Sequence, residues 1–476
     1  MGRLLSFHFF HEVDMARTRL LVVAFGLALC STAQAQYSEA PKYKVGGSPN
    51  IKVLSHIPLG GFFRTMDNEI EQEANRPYTY VSQSHERAGF SIISLADLGN
   101  IKKIYSWTIE NPELHGGTGG MDGKYFKIKG KYYYVQSLQF GQSGPDADLG
   151  AVIADVTLLP DTSKVKIVAR LRDKEYLGGF HNIFAYRHSD GRALLFTTIN
   201  GPYANVYDLE KIVSGAPEET WRIARVPIPR NENTAIGNFG YHDFQLFYDP
   251  NTHQDKFYGA GRGGYFIFDV SNIGKEEPKV ITQIVGAAGV SSGHTFTPTP
   301  DGKFAVTESE YEYAPLRIFD LRPGLEGKVN AITQPVGAWT ADWRALSHNH
   351  ELKWPFVFVS AYEDGLQVFN MQDPANPYTV GWYFTCQCLH NKGFGGLPQW
   401  EGQTVFNGAF GVKVRDSDGL IVISDSNTGF WAFKLEGFQS WNGHDWGMPN
   451  ISSAQNWDNG PEGAPKTGRA ATGGSQ

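Results

Sequence analysis

Seven short segments of the chain share one ending: an apolar triplet, then Asp or a stand-in, then another apolar residue. They are Ser91–Leu95 (SIISL), Val152–Val156 (VIADV), Asn205–Leu209 (NVYDL), Phe266–Val270 (FIFDV), Arg317–Leu321 (RIFDL), Gln367–Met371 (QVFNM) and Trp431–Leu435 (WAFKL). With the fourth residue of each as anchor, the positions are 94, 155, 208, 269, 320, 370 and 434, at intervals of 61, 53, 61, 51, 50 and 64 residues. A recurring supersecondary unit of this length cannot bury its own apolar face, so it must stack on its neighbours, and the spacing matches a four-stranded propeller blade with loops. The fold class expected is all-β, a seven-bladed β-propeller.

Other strands fall at matching offsets. About ten residues before most anchors lies a run such as Tyr78–Val81, Leu194–Thr197 or Leu420–Ser424, and after most anchors an outer strand such as Ile101–Ile109, Val165–Leu171 or Tyr378–Phe384. The seventh repeat has no such outer strand. Residues Asn50–Leu59 (NIKVLSHIPL), however, match the outer strand of the first repeat, Asn100–Ile109 (NIKKIYSWTI). The expectation is that this N-terminal strand completes the last blade and closes the ring, which removes the exposed edges of an open array. The domain plan is then 1–35 extension and signal, 36–49 lead-in, 50–438 propeller and 439–476 a flexible tail rich in Gly, Asn, Ser and Pro. The anchor aspartates read as turn-forming.

The front of the chain reads as a cleavable secretion signal starting at Met15. Arg17 and Arg19 precede an apolar run from Leu20 to Leu29, and Ala33-Gln34-Ala35 offers small residues for cleavage before Gln36. The run is too short for a stop-transfer helix. Leu29 is bulky where a lipid-attachment motif at Cys30 needs a small residue. The expected location is periplasmic or secreted. Without residues 1–35 the chain holds 39 basic and 47 acidic side chains, net −8, which argues against a nucleic-acid or anionic-membrane surface. No later segment is apolar enough to span a membrane. There is no phosphate-binding loop and no nucleophile elbow. The expected partner is a small molecule or a protein, of unknown identity.

The run from Gly365 to Pro377 (GLQVFNMQDPANP) resembles the LVIVD repeat. His181-Asn182-Ile183, Tyr241-His242-Asp243, His294-Thr295, His350 with its strand, and the closing stretch Phe406–Val412 with Ser424-Asp425 and Gly429-Phe430-Trp431 are similar to secreted LVIVD-repeat proteins of the choice-of-anchor type. The resemblance spans roughly residues 80 to 435. It implies propeller architecture and export, and little about activity. No C-terminal sorting signal accompanies it.

Four histidines carry the chemical interest. His181 and His242 each lie 27 residues before their anchors, His294 lies 26 before and His350 20 before, in a repeat with a shorter hairpin. Each opens a first strand, which in a propeller lines the central channel. Equal place in the repeat means equal height in the channel, so the four are the candidate metal ligands, with His115 and His348 near the same level. Imidazole suits copper, iron and zinc; iron or copper is preferred to zinc here. The arrangement is similar to the four-histidine iron site of carotenoid-cleaving propeller oxygenases, whose other motifs are missing. The competing reading is that each histidine satisfies backbone groups by hydrogen bonding. The function classes are therefore a metal-dependent oxidoreductase or oxygenase and a non-enzymatic binding propeller. Cys386 and Cys388, with His390 near, are open to a disulfide, free thiols or a copper-type site: residues i and i+2 of a strand sit about 6.8 Å apart, at the limit of disulfide geometry.

Overall fold

In the computed structural model, residues 44–61, 63–230, 240–311, 313–342, 346–387, 406–442 and 457–458 are described. The secretion signal, Cys30, Cys388 and His390 lie outside the described residues. Every apolar repeat segment is a buried strand, because alternating side chains must cover both faces of a sheet packed between two others. Blade 1 holds Thr65–Ile70, Tyr78–Gln83, Gly89–Ser94 and Lys102–Thr108, and blade 2 holds Gly117–Ile128, Lys131–Phe140, Leu149–Asp155 and Lys166–Arg172. Blade 3 runs Ile183–Arg187, Ala193–Thr198, Tyr203–Asp208 and Arg222–Pro227; blade 4 runs Tyr241–Asp249, Gln254–Gly261, Gly264–Asp269 and Lys279–Val285. Blade 5 has Thr295–Pro298, Phe304–Glu308, Leu316–Asp320 and a three-residue outer strand, Gly337–Trp339. Blade 6 has Asn349–Lys353, Phe356–Ser360, Leu366–Asn370 and Tyr378–Phe384. The first strand of each blade touches the first strands of its two neighbours, so the inner strands form a ring around a channel.

Blade 7 consists of Ala409–Arg415, Leu420–Asp425 and Gly429–Leu435, and its outer strand is Ile51–Ile57. The pairing is antiparallel, with Ile51 opposite Leu435, Val53 opposite Phe433 and Ile57 opposite Phe430. The N-terminal closure expected from the sequence is therefore present. The clasp also reaches further than expected. Gly46 and Gly47 pair with Phe384 and Tyr383, adding a fifth strand to blade 6. A Cβ on Gly47 would lie 2.2 Å from the Trp382 carbonyl oxygen, so this approach requires glycine.

The anchor residues act in turns. The side chains of Asp155, Asp269, Asp320 and Asn370 each accept from the backbone N–H two residues on, and Asp208 accepts from Lys211. A short polar side chain that closes a local ring ends its strand and starts the loop to the outer strand. Between blades the core is aromatic and aliphatic. Tyr80 of blade 1 stacks on Tyr134 of blade 2 at 4.2 Å between centroids, with Phe90 edge-on at 5.0 Å. Each such side chain, fully buried, contributes about 1.5–3 kcal/mol.

The expectation of a flexible tail from residue 439 does not extend to Trp441, Trp457 and Asp458. The Trp441 indole N–H donates to the Trp354 carbonyl at 3.0 Å, on blade 6. Trp457 is buried against Phe126 of blade 2, and Asp458 pairs with Lys127 at 2.6 Å. Composition hid these anchors, because each is a single large ring among polar residues.

Candidate metal centre

Near one mouth of the channel, each blade supplies one residue at a common register: Met66, Met121, His181, His242, His294, His348 and Phe410. In blade 5 the His294 N–H donates to the carbonyl of Glu308 (2.8 Å), and in blade 6 the His348 N–H donates to that of Ser360 (2.9 Å). Glu308 and Ser360 each end the second strand of their blade. In blades 4 and 7, His242 and Phe410 are the extra residues of β-bulges, and bulges interrupt blades 1 and 2 beside Met66 and Met121. A bulge re-aims a side chain, which is why bulges gather next to sites.

Three of the four histidines singled out in the sequence stand side by side. Ring centroids are 4.4 Å apart for His181 and His242 and 4.1 Å for His242 and His294. The row continues with His348, 4.9 Å from His294. His350 occupies a different place, two residues further along its strand and so about 6.8 Å deeper. There its Nδ1 lies 3.2 Å from Glu308 Oε2. Counting back from the anchor favoured His350, but both loops of blade 6 are shorter than those of blade 5, so offset from the anchor does not fix height; the level residue is His348. The residue after each histidine is polar in every case, Asn182, Asp243, Thr295, Asn349 and Glu351, and so does not separate His348 from His350. His115 pairs with Asp146 (3.0 Å) and lies against Phe140.

Sequence reasoning missed Glu310. It sits in the loop after the second strand of blade 5, with Oε2 3.3 Å from His294 Nε2 and 4.0 Å from His242 Nε2, and Oε1 4.0 Å from His348 Nε2. The ligand atoms of His242, His294 and Glu310 all lie within 4.8 Å of one another. The Tyr362 hydroxyl donates to Oε1.

The ring nitrogens facing Glu310 can be assigned by following hydrogen bonds outward. Asn349 Nδ2 donates to Asp67 Oδ2 (3.1 Å), which fixes its amide and leaves Oδ1 to accept from Thr295 Oγ1 (3.0 Å). With its proton spent, Thr295 Oγ1 must accept from His294 Nδ1 (2.9 Å). His348 Nδ1 donates to the Phe410 carbonyl (2.7 Å), which can only accept. His181 Nδ1 lies 2.9 Å from Gln139 Oε1. In the neutral rings of His294 and His348, then, Nε2 carries a lone pair and points at a carboxylate. His294 Nε2 is buried and has no hydrogen-bond partner.

Electrostatics keep these rings neutral. Burial lowers His181; burial and the adjacent imidazoles push His242 and His294 well below the ordinary histidine value; and burial takes His348 and His350 down to about 3. Deeper in the channel, burial raises Glu308 well above the usual carboxylate range, helped by Glu310 and Asp243, and its Oε2 lies within hydrogen-bond distance of His350 Nδ1. Solvent reaches the cluster from one side, where the side chains of His242 and Glu310 are 31% and 21% exposed. The loops of this mouth also hold four bulky residues with left-handed backbone, Phe63, His85, Tyr313 and Tyr362 (φ 54°, 56°, 64° and 40°). Strain of this kind gathers where a fold is built for function. Beside the histidines, Met66, Met121 and Phe410 pack with Leu346 and Tyr362, and the Phe410 ring lies 3.6 Å from that of His348. Cys386 is disulfide-bonded, and both other cysteines of the chain, Cys30 and Cys388, lie outside the described residues.

Fold and cluster define the class: a seven-bladed β-propeller with an imidazole–carboxylate cluster at one mouth of its channel. Among solved structures, the WD40 β-propeller domain of Doa1 is similar, with a TM-score of 0.51 and 10% identity over 83% of this chain and all of that one. At that identity the likeness shows the fold alone. No family model matches the chain, and no curated protein matches it.

Proposed function

We propose that the chain is an exported propeller of LVIVD type that binds a transition metal at the channel mouth, iron or copper before zinc, and uses it in oxidoreductase or oxygenase chemistry on a small molecule. The observation that carries this reading is the orphaned Nε2 of His294. A buried lone pair 3.3 Å from a carboxylate oxygen, with no proton between them, is repulsive unless a cation sits there. His242, His294 and Glu310 would supply two imidazoles and one carboxylate, the donor set that with open positions suits non-haem iron. His181 and His348 stand ready as further nitrogen donors. Met15–Ala35 and the LVIVD resemblance support export.

The test is elemental analysis of the purified protein and of protein reconstituted anaerobically with Fe(II) or Cu(I). His242→Ala, His294→Ala and Glu310→Ala should each lose metal without unfolding, whereas His350→Ala should keep it. A wild-type protein that is isolated free of metal and takes up none on reconstitution would end this reading. The second reading, a binding propeller with structural histidines, draws on the partners that His348 and His350 already have. It predicts no metal.

A further inference from the structure

Glu310 is held by only one of its oxygens. Tyr362 donates its hydroxyl proton to Oε1, while Oε2 is the oxygen nearest His242 and His294. Tyr362 cannot swing away. Its side chain is buried, its ring lies 5.2 Å from His348, 5.5 Å from Phe406 and 6.0 Å from Phe410, and its backbone exchanges two hydrogen bonds with Ala409 of the next blade (3.0 and 2.9 Å). The φ of +40° at a tyrosine is sustained by this cage.

We infer that Tyr362 is a positioning residue that keeps the metal centre open: by occupying Oε1 it confines Glu310 to one-oxygen ligation, leaving a solvent-side coordination position for an exogenous small ligand. The inference rests on the metal reading above. A carboxylate free at both oxygens can turn to chelate and fill that position; one whose second oxygen accepts a buried phenolic hydrogen bond is held in orientation and is a weaker donor there, which disfavours chelation. The side left open is that of the exposed faces of His242 and Glu310, so a molecule entering from solvent meets the metal directly. This is the arrangement of a reactive centre, since a structural metal site closes its coordination sphere with protein ligands.

The experiment uses the full mature chain loaded with Co(II), with azide as the probe of the open position and visible absorption as the readout. Wild-type protein is expected to bind Co(II) and to shift its spectrum on azide addition. Tyr362→Phe should weaken Co(II) binding by about tenfold or more, as loss of a group supporting a metal ligand does, and should lose the azide shift at saturating Co(II). Glu310→Gln, with one ligating oxygen and Tyr362 untouched, should bind Co(II) more weakly but keep the azide response once Co(II) is raised to saturation, and it reads the same point if Tyr362→Phe folds poorly. Co(II) binding with no azide response in the wild type, an unchanged response in Tyr362→Phe, or a response lost in Glu310→Gln would each overturn the inference while leaving the metal reading standing. Failure of the wild type to bind Co(II) would remove both.

Discussion

Thr295→Val tests the hydrogen-bond relay from Asp67 through Asn349 and Thr295 to His294. Valine keeps the shape of threonine and removes the one oxygen that both accepts from His294 Nδ1 and donates to Asn349 Oδ1. Thr295 and His294 are buried, 1% and 2% exposed, while Asn349 is half-buried. The stranded His294 N–H costs about 1–3 kcal/mol, so the metal-free protein should lose about that much in urea unfolding. Thr295→Ser restores the oxygen and gives up one methyl, about 0.8 kcal/mol. The relay also fixes which nitrogen of His294 is bare. In Thr295→Val the ring loses its reason to keep the proton on Nδ1, and ¹⁵N shifts of the imidazole should report a mixture of tautomers. Metal affinity should fall about 10–100-fold, the usual effect of removing a ligand's orienting partner. A valine variant with unchanged stability, a single Nδ1-protonated ring and unchanged affinity for Co(II) would show that the relay does not set the site.

Four other outcomes are expected. Burial lifts Glu69 to about 8; because its folded value exceeds the unfolded one, the native state holds a proton that the unfolded chain releases, so stability should fall as pH rises from about 4.5 to 8, and Glu69→Gln should flatten that fall in pH-dependent urea melts. Deleting Gly47–Pro58 should destabilise the whole ring in calorimetry, and Gly47→Ala should loosen the fifth strand of blade 6 in hydrogen exchange while blade 7 stays protected. Trp457→Ala should cost about 3 kcal/mol, the low end for a buried aromatic, and an unchanged melting temperature would show that the anchor on blade 2 carries no load. N-terminal sequencing of protein recovered from outside the cytoplasm should begin at or near Gln36; an intact Met1 or a lipidated Cys30 would defeat the signal assignment.

The sequence-level reading succeeded where repetition or self-similarity carried the information. The anchors were visible because each blade needs the same turn, and Ile51–Ile57 was visible because an outer strand of the ring has one chemistry wherever its residues come from. His350 was preferred to its neighbour His348 because counting from the anchors passes through two loops, and loop lengths are free to vary while strand register is not. Glu310 and Tyr362 had no counterparts in other repeats: they sit in loops, where only closure of the ring brings blades 5, 6 and 7 around one point. The outer strand Gly337–Trp339 was too short to show a pattern, and Trp441 and Trp457 were single rings in a polar stretch.

The clasp also orders events in time. Residues 46–57 are synthesised well before their partners at 383–384 and 430–435, which lie six blades further along the chain. Until blade 7 exists, every growing intermediate carries a free strand edge at each end, the surface on which β-chains pair wrongly. The contacts are among the longest-range a chain of this length can make, and long-range pairing is slow. A product that stops before its last blade is thus worse than inactive: it offers Ile51–Ile57 to any other open sheet and becomes a nucleus for assembly with its own copies.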